Sequence, residues 1–123
     1  MPYQYILGNL LAQNEGAVGV LFLDDSGETI DVACSEFSPY QMKVVGAYVG
    51  IYLRQAQQFL EETGKGAAEW IHVEKESLHI YARMLPDNYY VVLVQRSPAL
   101  TGRARRTLDA ACDQLARELF GSP

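Results

Sequence analysis

Residues 38–62 have the composition of one long helix, and apolar side chains occupy more of its circumference than a single packed face requires. An α-helix turns by about 100° per residue, so residues three, four and seven apart share one side. One apolar stripe has the width of a single buried face, and we expect it to cover the core. It consists of Met42, Val45, Val49, Tyr52, Leu53, Ala56 and Leu60.

A second side of the same helix is also apolar, and one core does not account for it. Between the two sides lies a strip that contains Gly46 and Gly50, where small residues would let another backbone approach. We therefore expect the helix to pack against another polypeptide, with the glycine strip as part of the contact. The alternative is that a loop of the same chain covers the second side. Its apolar residues are Tyr40, Val44, Ala47, Tyr48 and Ile51.

Composition limits the class of protein. With 123 residues, 49% hydrophobic and 20% charged, the chain is expected to form a single domain, residues 1–123, with a real core. A net charge of −5 disfavours nucleic acid as a partner, because phosphate binding needs a basic surface. No apolar run reaches the roughly 18–20 residues of a membrane span. No signal-peptide pattern is visible at the start, so we expect a cytoplasmic protein.

The chain contains two cysteines, Cys34 and Cys112. Because cytoplasmic thiols are kept reduced, we expect buried free thiols and no disulfide.

Apolar periodicity and turn residues define the remaining elements. Asp24-Asp25-Ser26-Gly27 is a strong turn signal between two strands. In the second of these strands, Ile30, Val32 and Cys34 are expected to share one face. The predicted elements are a helix over residues 3–13, strands over 17–23 and 28–34, the helix over 38–62, strands over 69–74, 78–85 and 89–94, and a last helix with the core stripe Ala104, Leu108, Ala111, Leu115 and Leu119.

Residues 69–74 and 78–85 are predicted to pair around a turn at Lys75-Glu76. The expected pairs on the apolar face are Val73 with Leu78 and Ile71 with Ile80. On the other face the same register gives His72 opposite His79 and Trp70 opposite Tyr81.

Short connections within each group of strands imply antiparallel pairing. The predicted fold class is an α/β sandwich of α+β type, with a five-stranded antiparallel sheet and helices on both faces. The element order is α-β-β-α-β-β-β-α.

No motif for catalysis or nucleotide binding is found. Gly64-Lys65-Gly66 follows a helix, and Ala67 occupies the position where a phosphate-binding loop has a hydroxyl. Helix termination explains these glycines better than GTP or ATP binding. We therefore expect neither a catalytic residue nor a cofactor, and an enzyme is the least favoured class.

His72 and His79 are predicted to lie opposite each other on neighbouring strands, where two imidazoles could bind a metal ion. Two ligands make a weak site, since catalytic zinc sites generally have three protein ligands. The third ligand would have to come from Glu74 or from outside the chain. We interpret the pair as solvated or interfacial and expect no metal.

The order helix, hairpin, long helix, three strands, helix resembles the Roadblock family, the dynein-light-chain-like regulators of small Ras-like GTPases, whose fold is profilin-like. Residues 16–30 resemble the opening hairpin of that family, with the small residues Gly16-Ala17 at its start and an Asp-x-x-Gly turn. The resemblance extends over nearly the whole chain, and the order of elements carries it more than any single residue.

The resemblance implies a homodimer in which the long helices lie side by side and edge strands pair into one continuous sheet. Residues 38–62 and 69–74 take those places. It also implies a small Ras-like GTPase as partner, with the chain acting as activator, exchange factor or scaffold. The family pattern identifies no catalytic residue.

The leading hypothesis is a non-enzymatic, dimeric regulator that binds a small GTPase and changes its nucleotide state. A scaffold or motor-adaptor subunit without effect on a GTPase, and a small-molecule sensor domain, remain alternatives. The residues expected in the dimer or partner interface are Tyr40, Lys43, Val44, Gly46, Ala47, Tyr48, Gly50, Ile51, Arg54, Trp70 and His72.

Overall fold

A computed structural model describes residues 3–64, 69–75 and 77–121 of the chain. The element order agrees with the prediction and the fold class is confirmed. The elements are α1 (Gln4–Gln13), β1 (Ala17–Leu23), β2 (Thr29–Cys34), α2 (Pro39–Thr63), β3 (Trp70–Lys75), β4 (Leu78–Met84), a 3-10 turn (Pro86–Asn88), β5 (Tyr90–Arg96) and α3 (Thr101–Phe120).

The five strands form one antiparallel sheet in the order β2-β1-β5-β4-β3. The central strand β5 is buried from Tyr90 to Gln95, as its almost continuous apolar sequence predicts for a strand covered on both faces. Among the residues that the structure describes, the outer strands β2 and β3 each have one side without a neighbouring strand in the sheet.

Helices cover both faces of the sheet and create two cores. On one face, α1 and α3 bury Leu10, Phe22 and Leu108. On the other face, α2 buries Met42 and Leu53 against the alternate residues of β1 and β5. The predicted stripe of α3 is confirmed, with Leu119 partly buried at its end.

The β1–β2 hairpin forms around the predicted turn. The Asp24 carboxylate accepts hydrogen bonds from the backbone N–H groups of Ser26 and Glu28, each at 2.9 Å. These bonds stabilise the charged form and lower the pKa of Asp24, mainly through Glu28. Gly27 completes the turn with a φ of 85°, a conformation that glycine adopts without strain.

One face assignment in β2 is wrong. Val32 and Cys34 face the α2 core as predicted, but Ile30 packs against the α1–α3 core. The pairing register shifts between Phe22 and Leu23, so a bulge interrupts the alternation at Ile30.

The predicted register of the β3–β4 hairpin is wrong by two residues. Val73 pairs with Ile80, and His72 pairs with Tyr81. Lys75 pairs with Leu78, so the strand continues through a residue that was assigned to the turn, and Glu76 lies outside the described residues. A two-residue shift preserves the face of every side chain, because strand side chains alternate with period two.

The ends of α2 follow from its sequence. Ser38 Oγ accepts from the Gln41 N–H at 3.1 Å and Gln41 Oε1 accepts from the Ser38 N–H at 2.9 Å, which is a capping box. Gly64 ends the helix in the left-handed conformation with a φ of 68°. Lys65 and Gly66 of the predicted stop lie outside the described residues, and so does Ala67.

Both thiols are free, in agreement with the prediction. Cys112 is buried in the α1–α3 core, and this burial raises its pKa to about 12. Cys34 is half-buried, and its pKa is also raised by burial. In the parts of the chain that the structure describes, none of the helices has the length and apolar content needed to cross a membrane.

Candidate interaction surface

The outward side of α2 is apolar and uncovered. Tyr40 is 75% exposed, Tyr48 61% and Phe59 62%. Val44, Ala47 and Ile51 lie exposed among them, as the sequence predicted. We call the group Tyr40, Val44, Ala47, Tyr48, Ile51, Tyr52 and Phe59 the outer face of α2.

Tyr52 was predicted to lie in the core stripe, and this prediction is wrong because its side chain is 58% exposed. The buried side of α2 comprises Met42, Gly46, Val49, Gly50 and Leu53. It is therefore rotated toward the glycines relative to the predicted stripe. Because Tyr52 lies at the margin of the predicted stripe away from the glycines, this rotation exposes its side chain to solvent. Phe59 was missed by the sequence analysis, although its spacing of seven residues from Tyr52 places it on the same side.

Gly46 and Gly50 do not form part of the outer face. Both lie on the buried side of α2, against the chain's own sheet. A Cβ atom on Gly46 would overlap the Leu21 side chain, and one on Gly50 would overlap the Tyr90 hydroxyl. The groups that approach these glycines are therefore side chains of this chain's own sheet, and the prediction that the glycine strip meets another polypeptide is wrong.

Tyr90 fixes the glycine side of α2 to the sheet. Its buried hydroxyl donates a hydrogen bond to the Gly46 carbonyl at 3.2 Å. Burial raises the pKa of Tyr90, and the nearby Arg54 charge partly opposes that effect. Arg54 lines a cleft of about 300 Å³ together with Asp25, Gly50 and Tyr90. The structure therefore places Arg54 beside the glycine side of α2 and leaves Lys43 exposed.

Trp70 and His72 are not brought together with the outer face of α2. Trp70 packs against the α1–α3 core, on the opposite face of the sheet. The Arg105 guanidinium lies 4.8 Å from the centre of the Trp70 ring, a cation–π contact. His72 is exposed and stacks on Tyr81 with ring centres 4.5 Å apart.

The structure joins His72, Glu74 and His79 into one cluster. The ligand atoms of these three side chains all lie within 4.8 Å of one another. His72 Nε2 is 3.0 Å from His79 Nδ1, a hydrogen bond whose donor depends on the tautomers. The predicted register placed the two histidines directly opposite each other, whereas Glu74 is the residue opposite His79. Burial and the Glu74 carboxylate raise the pKa of the adjacent Tyr81.

The fold is that of the Roadblock/LC7 domain. MglB of Myxococcus xanthus superposes with a TM-score of 0.88 at 13% identity, over 99% of this chain and 98% of that one. A Roadblock/LC7 domain from Streptomyces avermitilis gives a TM-score of 0.85 at 11% identity, over 94% and 96% of the two chains.

MglB in a tetrameric arrangement gives a TM-score of 0.84 at 19% identity, over 94% of this chain and 86% of that one. No protein-family model and no curated protein sequence matches the chain. The similarity is therefore one of fold, carried by the order and packing of elements and very little by individual residues.

Proposed function

We propose that this chain is a non-enzymatic, homodimeric regulator of a small Ras-like GTPase, acting in the cytoplasm as a single Roadblock-like domain. The observation that carries the proposal is the outer face of α2. Its four aromatic side chains are each more than half exposed. A soluble monomer gains nothing from exposing such a patch, and patches of this kind mark interaction sites.

The first occupant of the outer face is a second copy of α2. Aromatic side chains bury about 150–250 Å² each. Four of them on each of two copies supply about 1,000 Å² when only their exposed parts are covered, which reaches the lower limit for a specific interface. A twofold axis beside α2 would place equivalent faces in contact. The tetrameric arrangement of MglB supports assembly in this fold.

The free edge of β3 is a second contact in the proposed dimer. In the described part of the chain, its backbone groups on that side have no neighbouring strand, so two copies can pair there. Trp70 and His72 remain candidate contacts through their backbone, because their side chains project to the α3 face of the sheet.

The GTPase partner comes from the Roadblock resemblance, which the fold supports. Lys43 and Arg54, at the margins of the outer face, supply positive charge for a partner with acidic side chains. A regulatory role without catalysis agrees with the state of Cys112, whose pKa of about 12 keeps it a protonated, buried thiol.

The test uses purified small Ras-like GTPases from the organism that encodes this chain. GTP turnover and release of a fluorescent GDP analogue are measured with and without the protein. We expect a change in one of the two rates. Tyr48→Glu should weaken that effect. Leu100→Glu should preserve it, because it places the same charge at a residue that is 65% exposed and lies at the start of α3, on the other face of the sheet.

The alternatives give different results in the same assay. Binding with unchanged turnover and exchange would identify a scaffold or adaptor subunit and would contradict the regulatory role. Absence of binding would contradict the GTPase partner altogether.

A further inference from the structure

We propose that His72, Glu74 and His79 form a binding site for Zn²⁺ at the β3 edge of the sheet. The cluster lies on the face opposite α2 and is independent of the proposed GTPase interaction. Its ligand atoms lie within 4.8 Å of one another, and the two imidazole nitrogens that face each other are 3.0 Å apart.

Strand geometry fixes the three ligands on one face. His72 and Glu74 are two residues apart on β3, so both side chains leave the same side of the strand. His79 on β4 is directly opposite Glu74. The backbone ladder therefore holds the donors together without any loop that would have to close around the ion.

The spacing of the donors fits a tetrahedral ion with small adjustments. Zinc bonds of about 2.0–2.2 Å to nitrogen and oxygen separate neighbouring ligands by about 3.4 Å. The observed separations extend to either side of this value. His72 and Glu74 are exposed and free to adjust, whereas His79 is 6% exposed and serves as the fixed ligand. The Tyr81 ring supports the pair by stacking on both imidazoles.

The donor set selects the type of ion. Two imidazoles and one carboxylate suit Zn²⁺, whereas Mg²⁺ and Ca²⁺ prefer a shell of oxygen ligands. Two histidines and one glutamate are a recognised zinc set that leaves a fourth position for water or another ligand. A bound ion would replace the His72–His79 hydrogen bond and connect β3 to β4 through their side chains.

The experiment is a calorimetric titration of Zn²⁺ into untagged protein, with Mg²⁺ titrated in parallel. We expect one Zn²⁺ per chain and no heat from Mg²⁺. His72→Gln and Glu74→Gln change exposed positions and should each weaken Zn²⁺ affinity by about tenfold or more. Glu69→Gln removes an exposed carboxylate outside the cluster, and Cys34→Ser removes the half-buried thiol. Both controls should bind as the wild type does.

A second measurement does not depend on variants folding. The chain has 2 histidines, so both imidazole signals are assignable in an NMR spectrum of the intact protein. We expect both to shift on addition of Zn²⁺. The proposal is overturned if the wild type binds no Zn²⁺, if the imidazole signals do not move, or if His72→Gln and Glu74→Gln bind as tightly as the wild type.

Discussion

The two sides of α2 are both rich in small or apolar residues, but one is packed against the sheet and the other is exposed to solvent. The inner side, with Gly46 and Gly50, is pressed so closely on the sheet that a methyl group would overlap Leu21 or Tyr90. The outer side carries large aromatic side chains, and the described residues leave each of them more than half exposed. In α2, small residues therefore lie where the helix packs against its own sheet, and large apolar residues lie where the folded chain remains exposed.

The largest loss of folding stability is expected from substitutions on the inner side of α2. Gly50→Leu forces a branched side chain against the Tyr90 hydroxyl, and overpacking of this kind costs about 3 kcal/mol. Gly46→Leu should act similarly through Leu21. Urea unfolding followed by circular dichroism measures the loss. A Gly50→Leu variant with the wild-type midpoint would show that the glycine does not face Tyr90.

The next effect is expected on the outer side and concerns assembly. Tyr48→Glu places a charge at the centre of the outer face, and loss of one aromatic anchor typically costs about 2 kcal/mol of association energy. We expect the dimer dissociation constant to rise by about 30-fold while the far-ultraviolet spectrum stays native. Leu100→Glu is the matched control. Equal dissociation constants for both variants would place the interface elsewhere.

A smaller effect tests how Tyr90 anchors α2. Tyr90→Phe removes the hydrogen bond to the Gly46 carbonyl and should lower the free energy of unfolding by about 1 kcal/mol. Because the same hydroxyl would meet a Cβ on Gly50, Tyr90→Phe should also relieve the cost of Gly50→Ala. The double variant is then more stable than the sum of the single changes predicts. Strict additivity would contradict the proposed contact.

The smallest expected effect is an increase in folding stability. Gly8 lies within α1, and a Cβ there would meet no atom within 4 Å. Gly8→Ala should therefore raise the free energy of unfolding by about 0.5–1 kcal/mol through helix propensity alone. A rise in the urea midpoint would show that glycine substitutions harm this fold only where the sheet approaches. Destabilisation would mean that α1 is also closely covered.

Local signals predicted most of the fold. The Ser38-Pro39 start of α2 and the turn at Asp24–Gly27 depend on residues within one turn of each other, and both are confirmed. The bounds of β1 agree residue by residue, because an apolar run ends there at strong turn residues. Periodicity alone predicted most of the outer face of α2, although it assigned Tyr52 to the core and omitted Phe59.

The errors have two causes, contacts distant in sequence and one ambiguous strand end. Hydrophobic periodicity assigns no weight to a residue without a side chain, so it could not tell that Gly46 and Gly50 face the sheet. That orientation in turn decides that Tyr52 is exposed. The β3–β4 register depends on where the strand ends, and sequence does not distinguish Lys75 as strand from Lys75 as turn. The His72–Glu74–His79 cluster was recognisable as a set, but its geometry needed the register.

Sedimentation equilibrium of the wild-type chain tests the central claim most directly, namely that the outer face of α2 is covered by a second copy. We expect a dimer, with twice the 13.7 kDa mass of one chain. A monomer that persists at concentrations up to about 100 μM, where an interface of about 1,000 Å² would be populated, would contradict it.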